Sequence, residues 1–331
     1  MLMKRLPIHA VFVAVLFTAC CREKPETLFR TSETDFCDIF TRSLLTGVDI
    51  ETKKTGITLA AYGEDGVLAA SKHFTSNLES LALELEPDRR FTIYALVNMG
   101  DQTGSIPRYE SALSTLTYRI PSYSDGAESI ASRGIPMAGK LSYSGTKTII
   151  PVERLLAKVN VHISCEWPDA AIRSTRICQL NRILRPFGEA TREEDWDQQE
   201  FHEGPGKASG SFVFYVPENR QGIIDGIQSS REKSPDWNDK VKARKECLTY
   251  LETVVEGTGV YVGTIIYRSY LGRNAISDFD ICRNARYNWT IRYLKDGLQY
   301  NDWKHDNDLT DTQSGLQIDD GWDDGGEEEL H

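Results

Sequence analysis

Val159-Asn160-Val161-His162-Ile163-Ser164-Cys165-Glu166-Trp167 alternates apolar and polar side chains along its whole length. A period of two puts Val159, Val161, Ile163, Cys165 and Trp167 on one face and the polar residues on the other, so the stretch reads as a half-buried β-strand. The signal recurs outward from it. Leu81, Leu83 and Leu85 alternate with Glu84 and Glu86, Pro87-Asp88-Arg89-Arg90 supplies a turn, and Phe91, Ile93, Ala95 and Val97 resume the alternation. This pattern predicts a hairpin. Residues 211–216, 247–255, 260–271 and 287–294 are rich in β-branched and aromatic residues and are expected to be strands. From Tyr261 to Tyr270 both parities are largely apolar, which predicts a strand lying between two layers.

Helical signals are short: residues 109–119, 152–158 and 236–245, the last opened by Ser234 with Pro235 at the first-turn position. Polar stretches at 188–210 and 225–239 read as surface loops. Strands dominate, which predicts an all-β fold of sandwich type, and 331 residues suit two domains divided near 142–150.

The formal charge is −11, from 49 acidic and 38 basic side chains. Seven Asp and three Glu lie between Asp306 and His331 with no Lys or Arg, so the acidity describes a tail, not the fold. A disordered solvating extension is the simplest reading of that composition. Nucleic acid is excluded as a partner, since phosphate binding needs a concentrated basic face.

The N-terminus sets the compartment. Lys4 and Arg5 precede an apolar run from Ala10 to Ala19, too short to cross a bilayer, which reads as a secretory signal. Leu16-Phe17-Thr18-Ala19-Cys20 resembles a bacterial lipobox, making Cys20 the candidate lipidated residue and mature N-terminus. Cys21, Cys37, Cys165, Cys178, Cys247 and Cys282 remain; they form no C-x-x-C pair and read mainly as small buried hydrophobes.

No catalytic or metal site emerges. A P-loop, a G-x-S-x-G elbow and an H-E-x-x-H motif are all absent, and the histidines are scattered, with His162 on the polar face of its strand. Asp306-Asn307-Asp308 imitates the start of a calcium loop, but Asp311 stands where Gly is needed and Gln317 where Glu is needed. Catalytic residues, metals and cofactors are therefore expected to be none.

Six segments in order carry a family resemblance: YALVNMGD (94–101), IPMAGKL (135–141), PVERLLAKVNV (151–161), FYVPENRQG (214–222), TIIYRSYLG (264–272) and DFDICRNARY (278–287). Each has a structural reading of its own. Asn98 and Gly100 suit a tight turn, residues 152–159 carry apolar side chains at helical spacing, Glu218 to Arg220 top a loop, and Arg283-Asn284 read as a hairpin turn. Together the segments resemble the fimbrillin-like proteins of Bacteroidales, the FimA/Mfa-type subunits of type V pili.

That resemblance implies two transthyretin-like β-sandwich domains in tandem. The organisation expected is a signal peptide at 1–19, a lipidated tether at 20–34, an N-terminal domain at 35–147, a C-terminal domain at 148–305 and the acidic tail at 306–331. It further implies a non-enzymatic lipoprotein of the outer membrane, held by an N-terminal lipid. Its expected partners are other fimbrial subunits, joined by β-strand addition, and host or bacterial surface ligands. In the family an Arg-directed protease trims stalk subunits, and the candidate cut sites here are Arg30 and Arg42. After Trp303 the chain offers few alternating apolar residues, a departure that favours an anchor, accessory or tip-associated subunit over a polymerising one. The alternative is a surface glycan-binding lipoprotein, suggested by six Trp and fourteen Tyr; it requires an exposed row among Trp167, Trp196, Trp237 and Trp289.

Overall fold

In the computed structural model, the structure describes residues 50–51, 53–75, 81, 83–86, 89–124, 126–143, 150–189, 199–259, 262–293, 304–306 and 315–319. The strands are β1 (Ile57–Gly63), β2 (Leu68–Phe74), β3 (Phe91–Val97), β4 (Tyr118–Arg119), β5 (Met137–Tyr143), β6 (Glu153–Arg154), β7 (Leu156–Cys165) and β8 (Ala170–Cys178). They continue as β9 (Ile183–Leu184), β10 (Gln199–Glu203), β11 (Ser209–Pro217), β12 (Tyr250–Thr258), β13 (Val262–Tyr270), β14 (Arg286–Tyr293), β15 (Lys304–Asp306) and β16 (Gly315–Asp319). Two four-residue helices, α1 (Ile130–Arg133) and α2 (Asp239–Lys242), interrupt them. The all-β expectation holds.

The N-terminal sheet runs β2-β1-β3-β5-β6 and is antiparallel throughout. One face, with Ile57, Leu59, Ile93, Ala95 and Val97, packs against Leu81, Leu83, Leu85 and Ile150. The alternation in 81–86 therefore marks buried side chains correctly, but the predicted hairpin is wrong: β3 is flanked by β1 and β5, leaving neither edge free. Within the expected N-terminal sandwich, this is the one extended sheet among the described residues. It also reaches past the expected boundary at 147, since Met137 pairs with Arg154. Residues 144–149, where the division was expected, lie outside the described residues.

The C-terminal half is a sandwich. One sheet runs β11-β7-β14-β16 and the other β10-β8-β12-β13-β15. Val159, Val161, Ile163, Phe212, Phe214, Tyr287, Trp289 and Ile291 from the first face Ile172, Ile177, Leu251, Val255, Ile265 and Tyr267 from the second. Tyr267 and Tyr293 stack between the layers with centroids 3.8 Å apart. The β10–β11 corner closes one side, where Ile172 donates to the Lys207 carbonyl at 2.8 Å and Gly204 to that of Arg173 at 2.7 Å. Thus the stretch 188–210, expected as a loop, contains an edge strand.

Three further expectations are corrected. Residues 152–158 form β6 and the start of β7 rather than a helix: Leu156, Ala157, Lys158 and Val159 are all buried, and covering both strand faces erases the period of two. Lys158 tolerates this because it pairs with Glu51, which also accepts from the Tyr215 hydroxyl at 2.9 Å. Residues 109–119 hold a short 3-10 turn and β4, and the third helix shrinks to α2, capped by Asn238 rather than Ser234. Finally, β13 buries Ile265, Tyr267 and Ser269 while Val262 and Thr264 are exposed, so it covers one layer and faces outward on the other. Inside the tail expected to be disordered, Gly315–Asp319 pairs antiparallel with β14.

Candidate functional site

Glu218 and Arg283, from two of the family-like segments, meet where the two halves join. β4 and β9 pair there, Tyr118 opposite Leu184, and the large hydrophobic cluster runs continuously from Tyr62 and Tyr94 into the C-terminal sandwich. β11 stops at Pro217, which places Glu218 at the sandwich end, and the crossover from β13 to β14 brings Arg283 beside it. Since β13 and β14 belong to different sheets, Arg283-Asn284 is an inter-sheet crossover and not the hairpin turn expected.

Arg283 Nε donates to Glu218 Oε2 at 2.9 Å, and one Nη donates to the same oxygen. The other guanidinium donors reach the carbonyls of Arg185, at 3.1 Å, and Gly188, at 2.8 Å. Arg220 adds a thiol contact to Cys282 at 2.7 Å and approaches Asp280 at 3.7 Å, while Asp280 accepts from the Gly222 amide at 2.6 Å. The cations are matched by carboxylates and carbonyls, which is how buried charge is made tolerable. The adjoining recess, lined by Leu155, Ile183, Leu184 and Arg185, has room for about one water molecule.

The loop that Arg283 grips carries Phe187, whose ring meets Tyr94 of β3 edge-on at 4.9 Å. Tyr94 in turn donates to Glu110 at 2.7 Å. One guanidinium thus fixes a segment of the C-terminal half against the N-terminal sheet. The arrangement is a joint between halves; it aligns no nucleophile with a base.

Asn98 does comparable work inside the N-terminal half. At φ +63° it ends β3, and its buried amide accepts from the Thr55 amide at 2.9 Å and donates to the Lys53 and Ile135 carbonyls, both at 2.8 Å. The turn expected at this segment is present, and its side chain ties three segments together.

Cys20, Arg30 and Arg42 lie outside the described residues, as do Cys21, Cys37 and Trp196. Trp167 and Trp289 are buried, so of the four tryptophans proposed for a sugar-stacking row only Trp237 is exposed among the described residues. The described cysteines are free thiols; burial pushes those of Cys165 and Cys178 up to about 11. His162 is exposed and meets Ser211 Oγ at 3.0 Å. A pairing missed from sequence joins His202 Nε2 to Glu200 Oε1 at 3.2 Å on β10, where burial raises the Glu200 carboxyl and His202 opposes the shift. Their i, i+2 spacing on a strand was the available signal. No group of three metal-ligating side chains occurs among the described residues, and no described helix is long and apolar enough to cross a membrane.

A domain family of unknown function, DUF4906, matches residues 214–291, from the Glu218 segment through β14. No curated protein sequence matches the chain. Among solved structures, a "putative cell adhesion protein" from Bacteroides eggerthii superposes with a TM-score of 0.54 at 11% identity, covering 80% of this chain and 88% of the other. Another protein so described, from Parabacteroides distasonis, gives 0.54 at 14% identity, covering 84% and 93%. The tip fimbrial protein Mfa3 from Porphyromonas gingivalis, with a C-terminal truncation, gives 0.53 at 12% identity, covering 82% and 95%. At these identities the likeness is one of fold: the chain shares the fold of these three structures over most of its length.

Proposed function

We propose that this protein is a non-enzymatic, exported lipoprotein that serves as an accessory or anchor subunit of a surface fimbria, with a role in adhesion and assembly. The observation that carries this reading is the shared fold, which extends over four-fifths or more of both chains in each comparison and includes a fimbrial tip protein. The lipobox-like Leu16–Cys20 sequence supports attachment to the outer membrane through a lipid on Cys20. Strand addition is the assembly chemistry such sheets offer, because an edge strand presents unpaired amides and carbonyls to a partner strand. Here β15 and β16 lie on the edges of β13 and β14 within the same chain. A segment paired in cis is not free for donation, which supports an accessory place over a repeating stalk.

Deletion of the gene, followed by electron microscopy and surface fractionation, tests the reading. Fimbriae should change in number, length or attachment, and the protein should co-purify with them. Unchanged fimbriae together with failure to co-purify would overturn it.

A further inference from the structure

Five large hydrophobic residues are exposed among the described residues, and three of them, Ile223, Trp237 and Ile276, lie on two connections at one end of the C-terminal sandwich. The first connection joins β11 to β12 and the second joins β13 to β14. They are tied together. Ile223 bridges Asp278, Ile224 donates to the Ser277 carbonyl at 2.9 Å, and Lys233 reaches across to the carbonyls of Asn274 and Asp278. Beneath them Ile224, Ile227, Val241, Leu248, Tyr270 and Phe279 form a small core. The exposed apolar side chains therefore stand on hydrogen-bonded connections backed by a core, at one end of the sandwich, a placement that suits an interaction surface.

Beside them, α2 and its extension read Lys240-Val241-Lys242-Ala243-Arg244-Lys245, four cations in six residues, flanked by Asp239 and Glu246. Lys240 donates to the Asp225 carbonyl at 2.7 Å and Lys245 lies 3.6 Å from Glu246, while Lys242 has no ion-pair partner among the described residues. A ligand combining an aromatic group with several carboxylates would suit this surface.

The chain carries such a segment. β16 runs antiparallel to β14 with Asp319 opposite Arg286, so the chain beyond Asp319 leaves at the end of β14 where the crossover bearing Ile276 arrives. Residues 320–331 contain six carboxylate side chains, no Lys or Arg, and Trp322. Twelve residues can span up to about 40 Å. We propose that this terminal segment, Asp320 to His331, docks on its own chain's platform, with Trp322 against Ile223, Trp237 and Ile276 and its carboxylates facing Lys240, Lys242 and Lys245.

Zero-length carbodiimide cross-linking of the full mature chain tests this, with mass spectrometry on an equal mixture of ¹⁴N- and ¹⁵N-labelled protein. The expected result is same-isotope links from Lys240, Lys242 or Lys245 to carboxylates of 320–331, strongly reduced at about 1 M salt, where the screening length falls to roughly 3 Å. Removing 320–331 should also make the amides of 222–245 exchange several-fold faster, and Trp322→Ala should reproduce part of that gain. Mixed-isotope links would assign the platform to a second copy and overturn the proposal. Links of the tail only to lysines elsewhere, or unchanged exchange after truncation, would overturn it too.

Discussion

Arg283 and Glu218, sixty-five residues apart in sequence, form a two-donor ion pair at the junction of the halves, with Nε 2.9 Å from Oε2. The same guanidinium holds the carbonyls on either side of Phe187. Arg283→Ala leaves Glu218 buried without its main partner, and removal of one member of such a pair costs about 3–5 kcal/mol. Urea unfolding should show that loss, whereas Glu218→Ala with Arg283→Ala should cost less than the sum of the single changes. Additivity of the two would remove the coupling.

Lys233 is buried, donates to the Asp278 carbonyl at 2.8 Å, and lies over the Phe279 ring at 4.9 Å. Burial lowers its ammonium to about 7, opposed by Asp278. Between about pH 7 and the ordinary lysine range the unfolded chain binds the extra proton, so stability should rise with pH by up to about 1.4 kcal/mol per unit. Below pH 7 both states are protonated and the contribution levels off. Lys233→Met should flatten that slope in a series of unfolding curves; an unchanged slope would show that Lys233 is charged in the fold.

The legibility of these features differs for physical reasons. The alternation in 159–167 survives because β7 has one wet face there, with His162 exposed and Ile163 buried. Three residues earlier both faces are covered, and Leu155, Leu156 and Val159 then mimic helical spacing although Leu156 pairs with Pro217. The alternation at 81–85 shows which side chains are buried but not which strand pairs with which, since backbone pairing leaves no mark on side-chain order. Glu218 and Arg283 were visible as charged residues in family-like segments. Their joint was not, because most of Arg283's partners are carbonyls, which every residue carries.

Asn98→Ala should destabilise the N-terminal sheet by about 2–4 kcal/mol. It strands the Thr55 amide and the Lys53 and Ile135 carbonyls, and it places a β-carbon with no compensating bond at φ +63°. Asn98→Asp should cost at least as much, because a buried carboxylate can still accept from Thr55 but sets its second oxygen against the Lys53 and Ile135 carbonyls with no proton between them. Thermal unfolding should place the midpoint of Asn98→Asp no higher than that of Asn98→Ala.

Gly272 closes β13's exit into the crossover so tightly that a β-carbon there would sit 1.9 Å from the Asp278 carbonyl oxygen. That oxygen belongs to backbone and also accepts from Lys233, so it cannot swing aside as a flexible side chain would. Gly272→Ala must therefore push the crossover away from β13, and the first interactions lost should be the Lys233 bonds and the Ile223–Asp278 bridge. The strain should appear as faster hydrogen exchange in 222–245 and 272–280, with little change in the N-terminal sheet, whose packing shares none of these atoms. Uniformly faster exchange along the chain would mean that the crossover is instead part of one cooperative unit with both halves.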